Sequence, residues 1–138
     1  MSDFYILDAC AIIAFLLKEP GSDEMRGLFR SAERSEIKIF MHNLNLLEIY
    51  YGLRRTFGEV FSSVRLEYMK HLPITFLPEI GGDSFIEAGR LKASYKISLA
   101  DAILLSEASV LRAVVVTADH HELDAVEKAE PIKFFWIR

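Results

Sequence analysis

A short apolar run near the start of the chain, FYIL over residues 4–7, ends at a carboxylate, Asp8. An alanine- and isoleucine-rich stretch follows at once and predicts a helix that stops at Pro20-Gly21. A strand this apolar is typical of a parallel sheet that helices cover on both faces. Because ligands bind at the carboxyl ends of such strands, we expect Asp8 at the functional edge of the sheet. The alternative is that Asp8 only caps the helix after it.

The rest of the sequence continues this alternation of strands and helices. Further strands are predicted over residues 37–41, 74–77, 113–117 and 133–137. Further helices are predicted over residues 22–35, 44–55, 57–71, 83–95, 98–111 and 120–129. Three of these helices have candidate capping residues, namely Asn43, Asp83 or Ser84, and Ser98. Strands separated by helices predict an α/β fold, and we expect a single domain over residues 1–138 with a parallel, roughly five-stranded central sheet.

The order of the strands follows from these connections. The chain is expected to run outward through the first three strands and to return beside the first strand for the fourth. The reversal then lies between the strand that ends at Asp8 and the strand that ends at Thr117. Such a reversal forms the crevice in which α/β proteins bind their ligands.

Composition narrows the class of protein. Just over half of the 138 residues are hydrophobic and about a quarter are charged, which excludes a disordered chain. The apolar runs are too short to cross a bilayer and no charged-then-apolar leader precedes the first strand, so we expect a cytoplasmic protein without a membrane partner. The single cysteine, Cys10, cannot form an internal disulfide, and we expect it to be a small buried residue that faces the core.

The net charge of −4 argues against a nucleic-acid binder with a broad basic patch, unless bound cations neutralise clustered carboxylates. The basic residues fall into three local groups, which we interpret mainly as solvent-exposed surface. The groups are Arg26, Arg30 and Arg34; Arg54 and Arg55; and Arg90, Lys92 and Lys96.

Three more acids fall where the predicted fold brings them to the edge that Asp8 occupies. Glu48 interrupts the apolar stripe of its helix, and an inward carboxylate is costly unless it is paired or binds a cation. Asp101 lies at the start of a helix that is apolar nearly all round, and Asp119 follows the fourth strand. Each has a plainer reading: Glu48 can extend its head to solvent, and the two aspartates can act as helix caps.

Four carboxylates at one edge repel each other, so the cluster needs either protons or cations. Oxygen donors suit Mg²⁺ or Mn²⁺, and no cysteine and histidine set is present that would favour zinc. A site for one or two such cations is the usual apparatus for hydrolysing phosphodiesters. We interpret His120 and His121 as surface residues, because adjacent histidines on a helix point in different directions.

Four segments carry a resemblance to a known family, and in chain order they read LDACAIIAFL, NLLEIYYG, SLADAILL and VVVTADHHEL. The series resembles the PIN-domain ribonucleases, and among them the VapC-type toxins of prokaryotic toxin–antitoxin pairs. The resemblance extends from Phe4 to the end of the chain and implies a three-layer α/β/α PIN-like domain. It implies that the metal-binding and catalytic residues are Asp8, Glu48, Asp101 and Asp119.

Three other positions bear on this resemblance. Thr117 matches the family's hydroxyl just before the fourth acid and would support the acids as a hydrogen-bond donor. The family often has a serine or threonine two residues after the first aspartate, where this chain has Cys10. It also often has an aspartate two residues after the fourth acid, where this chain has His121.

The function implied by the resemblance is that of a Mg²⁺- or Mn²⁺-dependent endoribonuclease, the toxin of a VapBC-type pair. A metal-activated water would hydrolyse the RNA phosphodiester and leave a 3′-hydroxyl and a 5′-phosphate. The implied partners are RNA, a VapB-type antitoxin and a second copy of the chain in a homodimer. Two alternatives stay open: a phosphohydrolase with Asp8 as its nucleophile, and a non-catalytic doubly wound binding module whose acids are only caps.

Overall fold

A computed structural model describes residues 3–138 of the chain. The strands are β1 (Phe4–Leu7), β2 (Lys38–His42), β3 (Thr75–Leu77), β4 (Val114–Thr117) and β5 (Phe134–Trp136). All neighbours pair in parallel, in the order β3-β2-β1-β4-β5. The predicted parallel five-stranded sheet is confirmed, and so is the predicted reversal between β1 and β4.

Helices connect the strands. They are α1 (Ala9–Leu16), α2 (Ser22–Glu33), α3 (Asn43–Phe57), α4 (Glu59–Lys70), α5 (Gly82–Ser94), α6 (Leu99–Leu111) and α7 (His120–Ala129). Within residues 3–138, none of these helices combines the length and the hydropathy that crossing a membrane would require.

The two faces of the sheet carry separate hydrophobic cores. Successive residues of a strand point to opposite faces, and β1 and β4 show this directly. Leu7 and Val116 pack with apolar residues of α1 to α4, whereas Ile6 and Val115 pack with those of α5 to α7. The result is the predicted three-layer α/β/α architecture, in which strands buried on both faces read as unbroken apolar runs.

Helix α6 is enclosed on all sides, as its sequence predicted. Every residue from Ala100 to Ala108 is buried, including Asp101 near its start. Another buried acid of this helix, Glu107, accepts a hydrogen bond from the hydroxyl of Ser84 in α5. The first turn of α6 therefore holds the Asp101 carboxylate inside the molecule.

Two of the predicted helix caps are wrong. The capping residue of α3 is His42, whose Nδ1 accepts a hydrogen bond from the Leu44 amide at 3.0 Å, and Asn43 is the first helical residue. Helix α5 begins after Gly81 without a side-chain cap, because Ser84 instead bonds across to α6 and Asp83 lies in the first turn. The predicted cap at Ser98 is confirmed by its 3.0 Å bond from the amide of Asp101.

Gly21 is required where α2 begins. Its φ is +101°, and a Cβ atom there would lie 2.7 Å from Cδ1 of Ile137. We expect Gly21→Ala to lower the free energy of unfolding by about 1–3 kcal/mol, measured by urea denaturation, because both the backbone and the packing oppose a side chain. Gly27, inside α2, is the matched control: an added Cβ meets nothing within 4 Å, so Gly27→Ala should stabilise by about 0.5–1 kcal/mol. Equal effects of the two changes would contradict this account.

Candidate active site

The four acids singled out from the sequence lie in one cavity at the carboxyl edge of the sheet. Asp8 directly follows β1 and Asp119 comes shortly after β4, while Glu48 projects from α3 and Asp101 from the first turn of α6. The cavity measures about 370 Å³ and is lined by Asp8, Ala9, Cys10, Ile13, Glu48, Tyr51, Ser98, Asp101, Asp119 and Glu122. Four segments that are distant in sequence thus contribute carboxylates to one space.

Asp8 is the most enclosed of these acids, with 5% of its surface exposed. Its Oδ1 accepts a hydrogen bond from the Ala9 amide at 2.7 Å, and its Oδ2 accepts one from the Thr117 hydroxyl at 2.8 Å. Burial raises the pKa of this carboxyl, although the hydrogen bonds oppose the shift. Asp8 does cap α1, as the alternative interpretation predicted, because its side chain accepts a hydrogen bond from the first residue of that helix.

Thr117 connects the first and fourth acids. Its hydroxyl donates to Asp8 and also accepts a 3.0 Å hydrogen bond from the amide of Asp119. The side chain is fully buried at the end of β4, next to β1 in the sheet. Asp119 in turn caps α7, because its carboxylate accepts from the Glu122 amide at 3.3 Å.

The prediction that Cys10 faces the hydrophobic core is wrong. Its sulfur lies at the cavity, 3.4 Å from Oδ2 of Asp8 and 3.3 Å from Oγ1 of Thr117, and it accepts a hydrogen bond from the Ala118 amide. In the first turn of α1, a side chain two residues after Asp8 is directed back toward the strand ends. Burial, followed by the nearby Asp8 charge, raises the pKa of the Cys10 thiol to about 12. The thiol therefore stays protonated and donates toward Asp8.

Glu48 is half-buried and depends on a neighbour that the sequence analysis missed. The side-chain amide of Asn45 donates to Oε1 of Glu48 at 3.3 Å, one turn earlier on α3. Asn45 is fully buried, and its Oδ1 has no hydrogen-bond partner in the described part of the chain. Burial raises the pKa of Glu48, and the charges of Asp8 and Glu122 add to the shift. A polar residue three positions before Glu48 in an apolar stripe was the available signal.

A fifth acid, Glu122, completes the cluster and was also missed. Carboxylate oxygens of Asp101, Asp119 and Glu122 all lie within 4.8 Å of one another. Burial raises the pKa of Asp101 to about 8, helped by its hydrogen bond to Glu122 and by the charge of Asp8. Glu122 lies three residues after Asp119, which places both acids on one side of the first turn of α7.

The two histidines after Asp119 are exposed, as predicted. His120 stacks on the ring of Trp136 with 3.9 Å between centroids, and its ring nitrogens contact Asp124 and the backbone oxygen of Arg138. Neither histidine lines the cavity. His121, two residues after Asp119, therefore contributes no group to the cavity, whereas Glu122 at the next position contributes a carboxylate.

The donors that face this cavity suit a hard divalent cation. The cluster consists of carboxylate oxygens, which Mg²⁺ and Mn²⁺ prefer, and the protonated Cys10 thiol is a poor ligand. The raised pKa values of Asp8, Glu48 and Asp101 show that, without a cation, the site favours holding protons. A cation of charge +2 would take over the task of compensating the negative charges.

Comparison with known proteins bears on the family. Residues 5–129 match the PIN domain. No curated protein sequence matches the chain significantly. Solved structures with a similar fold include DNA-bound VapBC from Salmonella typhimurium, with 18% identity, a TM-score of 0.73 and 100% of each chain covered. VapBC2 from Rickettsia felis, bound to a promoter DNA fragment, has 15% identity and a TM-score of 0.76, with 96% of this chain and 97% of that chain covered.

FitAcB from Neisseria gonorrhoeae has 15% identity and a TM-score of 0.69, again with 96% of this chain and 97% of that chain covered. At such low identity these structures establish likeness of fold alone. The sequence match to the family, in contrast, includes β1 from Tyr5 onward, all of β2, β3 and β4, and all four predicted acids. The chain therefore belongs to the PIN domain family.

Proposed function

We propose that this protein is a Mg²⁺- or Mn²⁺-dependent endoribonuclease and the toxin of a VapBC-type toxin–antitoxin pair. The observation that carries the proposal is the meeting of Asp8, Glu48, Asp101 and Asp119 in one cavity at the strand ends. Membership of the PIN domain family supports hydrolysis of a phosphodiester. The toxin assignment is supported by the similar folds of VapBC proteins.

The cation would be held by the carboxylates of the cavity, which are Asp8, Glu48, Asp101, Asp119 and Glu122. When bound, such an ion lowers the pKa of an attacking water and stabilises the charge that develops on the phosphate. The chain's own contribution is to keep the carboxylates aimed into one space. Thr117 fixes Asp8, and Asn45 fixes Glu48.

Helix capping does not account for the cluster by itself, which disfavours the binding-module alternative. Asp8 and Asp119 do cap helices. For α6, however, the capping side chain is Ser98, and among residues 3–138 no bond runs back from the Asp101 carboxylate to the Ser98 amide. Glu48 lies in the second turn of α3 and caps nothing. Two buried or half-buried acids therefore need another explanation, and cation binding supplies one.

A protein partner completes the proposal. We assign a VapB-type antitoxin, because solved proteins of similar fold include toxin–antitoxin complexes. A candidate surface is the groove of about 410 Å³ between α1, α2 and α4, beside exposed apolar side chains of α4 at Val60, Val64 and Tyr68. A homodimer is part of the same proposal, and action on cellular RNA would place the protein in the cytoplasm.

Replacing one carboxylate of the cavity should abolish most RNA cleavage while the protein still folds. We expect Asp8→Asn and Asp101→Asn each to lower Mn²⁺-dependent cleavage of total RNA at least about a hundredfold, since even a ligand's supporting partner is typically worth 10–100-fold. The melting temperature of metal-free Asp101→Asn should change little below about pH 8, because the amide replaces a carboxyl that holds its proton there. Glu127, an exposed acid bonded to Trp136, is the matched control, and Glu127→Gln should cleave normally. Wild-type rates in Asp101→Asn would end the assignment.

The acids should also make stability depend on pH and metal. Without metal, folded Asp101 holds its proton up to about pH 8, whereas the unfolded chain has the ordinary pKa of 3.8. The folded state therefore binds more protons, so the free energy of unfolding falls as pH rises across this range. Mn²⁺ should reverse the loss, and its effect on the melting temperature should be larger at about pH 8 than at about pH 5.

The same measurement on Asp101→Asn provides the control. This variant lacks the titrating group, so its metal-free stability should depend less on pH. A melting temperature that Mn²⁺ leaves unchanged at about pH 8 would contradict the proposed metal site.

The Thr117 hydroxyl should be needed for metal affinity more than for folding. Thr117→Val keeps the shape but removes the donor to Asp8 and the acceptor for the Asp119 amide. We expect it to weaken Mn²⁺ binding roughly 10–100-fold by isothermal titration. Thr117→Ser retains the hydroxyl and should bind nearly as well as wild type. Equal losses in both variants would show that packing, rather than the hydroxyl, matters here.

A further inference from the structure

One side chain in the wall of the acidic cavity is aromatic. Tyr51 lies on α3 three residues after Glu48, lines the same cavity as the carboxylates, and is 45% exposed. Its ring is therefore available to a molecule that enters the cavity. Nucleobases stack on exposed aromatic rings of this kind in many single-strand binding sites.

The Arg55 guanidinium makes a cation–π contact with this ring. The guanidinium carbon of Arg55 lies 5.5 Å from the centroid of Tyr51. Arg55 is exposed, and no carboxylate of residues 3–138 lies within ion-pairing distance of it. Its charge is thus not compensated by an ion pair, and the Tyr51 ring that it contacts lines a cavity of carboxylates and one thiol. A polyanionic substrate that approaches these acids would gain from a free cation at the rim.

The preceding pair on the same helix differs in each of these respects. Arg54 donates to the hydroxyl of Tyr50 at 3.2 Å and forms an ion pair with Glu59 at 3.6 Å. Tyr50 does not line the cavity. The helix therefore carries two Tyr–Arg pairs at the same spacing. Of the two tyrosines only Tyr51 lines the acidic cavity, and of the two arginines only Arg55 has no ion-pair partner among residues 3–138.

We propose that Tyr51 stacks on an unpaired RNA base next to the scissile phosphate and that Arg55 contacts a neighbouring phosphate. The proposal rests on the ribonuclease function proposed above and adds to it two residues of this chain that would hold the RNA. A base can reach the Tyr51 ring only if it is out of a duplex, so the preferred substrate is single-stranded RNA or a loop. Stacking tolerates any base, so this contact selects for strandedness rather than for sequence.

The test compares matched variants of the full-length chain. Each is combined with Asp101→Asn to prevent cleavage, and binding to a labelled, unstructured RNA pool of random sequence is followed by fluorescence anisotropy with Mg²⁺ present. We expect Tyr51→Ala to weaken binding roughly tenfold and Tyr51→Phe to bind like its parent. Arg55→Ala should reduce the slope of log affinity against log salt by about one phosphate contact. Tyr50→Ala and Arg54→Ala are the controls and should behave like the parent.

Three results would overturn the inference. The first is Tyr51→Ala binding RNA as tightly as Tyr50→Ala does. The second is an equal loss for Tyr51→Ala on fully paired RNA duplex, since stacking requires an open base. The third is a changed oligomeric state of Tyr51→Ala in size-exclusion chromatography, which would make the residue a contact between copies.

Failure of the proposed function gives a different result. RNA cleavage by the protein without substitutions, with and without Mg²⁺, is measured alongside. Absence of metal-dependent cleavage would remove the ribonuclease proposal and this inference with it. Normal cleavage, together with unchanged binding by Tyr51→Ala, would remove the inference alone.

Discussion

Electrostatic repulsion among carboxylates in a confined space is the constraint on which this structure depends. Asp101, Asp119 and Glu122 approach one another closely, and Asp8 and Glu48 face the same cavity. Burial raises the pKa of Asp8, Glu48 and Asp101, so the fold keeps these acids together at a cost to their ionised forms. The negative charge of such a cluster must be compensated by bound cations or by protons. Only cations allow all of these acids to be ionised at neutral pH.

The two hydrophobic cores supply the rigidity that holds the acids against this repulsion. Each core uses alternate residues of the same strands, so β1 is fixed from both faces at Ile6 and Leu7 before the chain reaches Asp8. Helix α6 is buried nearly throughout, which leaves Asp101 little freedom to move away. Polar contacts then set the finer positions, with Thr117 joining the ends of β1 and β4 through Asp8 and Asp119. The apolar layers set the positions of the acids, whereas Thr117 orients Asp8 and the backbone at Asp119, and Asn45 orients Glu48.

The sequence predicted the fold correctly in segments where the pattern of apolar residues matches a single type of secondary structure. Apolar strands that end at Asp8 and Thr117 predicted the sheet, its order and the edge where the acids meet. Two of the errors arose where a contact between distant segments sets the position of a side chain. Ser84 bonds to Glu107 and therefore does not cap α5, and Cys10 turns toward Thr117, which is 107 residues away along the chain. Asn45 and Glu122 were missed because the role of each depends on a contact with another acid of the cavity. The position of a polar residue along a helix does not by itself show whether its side chain makes a buried contact or faces solvent.

Helix α3 joins the chemical and recognition parts of the proposal along one stripe. Asn45, Glu48, Tyr51 and Arg55 follow each other at intervals of three or four residues, so they lie along one side of the helix. Along this line the environment changes from a fully buried amide, through a half-buried carboxylate, to an exposed ring and an exposed cation. The residues that would position the cation and those that would receive the RNA are thus fixed to one rigid element. A substrate base stacked one turn beyond Glu48 would be held in a constant relation to the acids, because the helix backbone between them cannot flex without breaking its own hydrogen bonds.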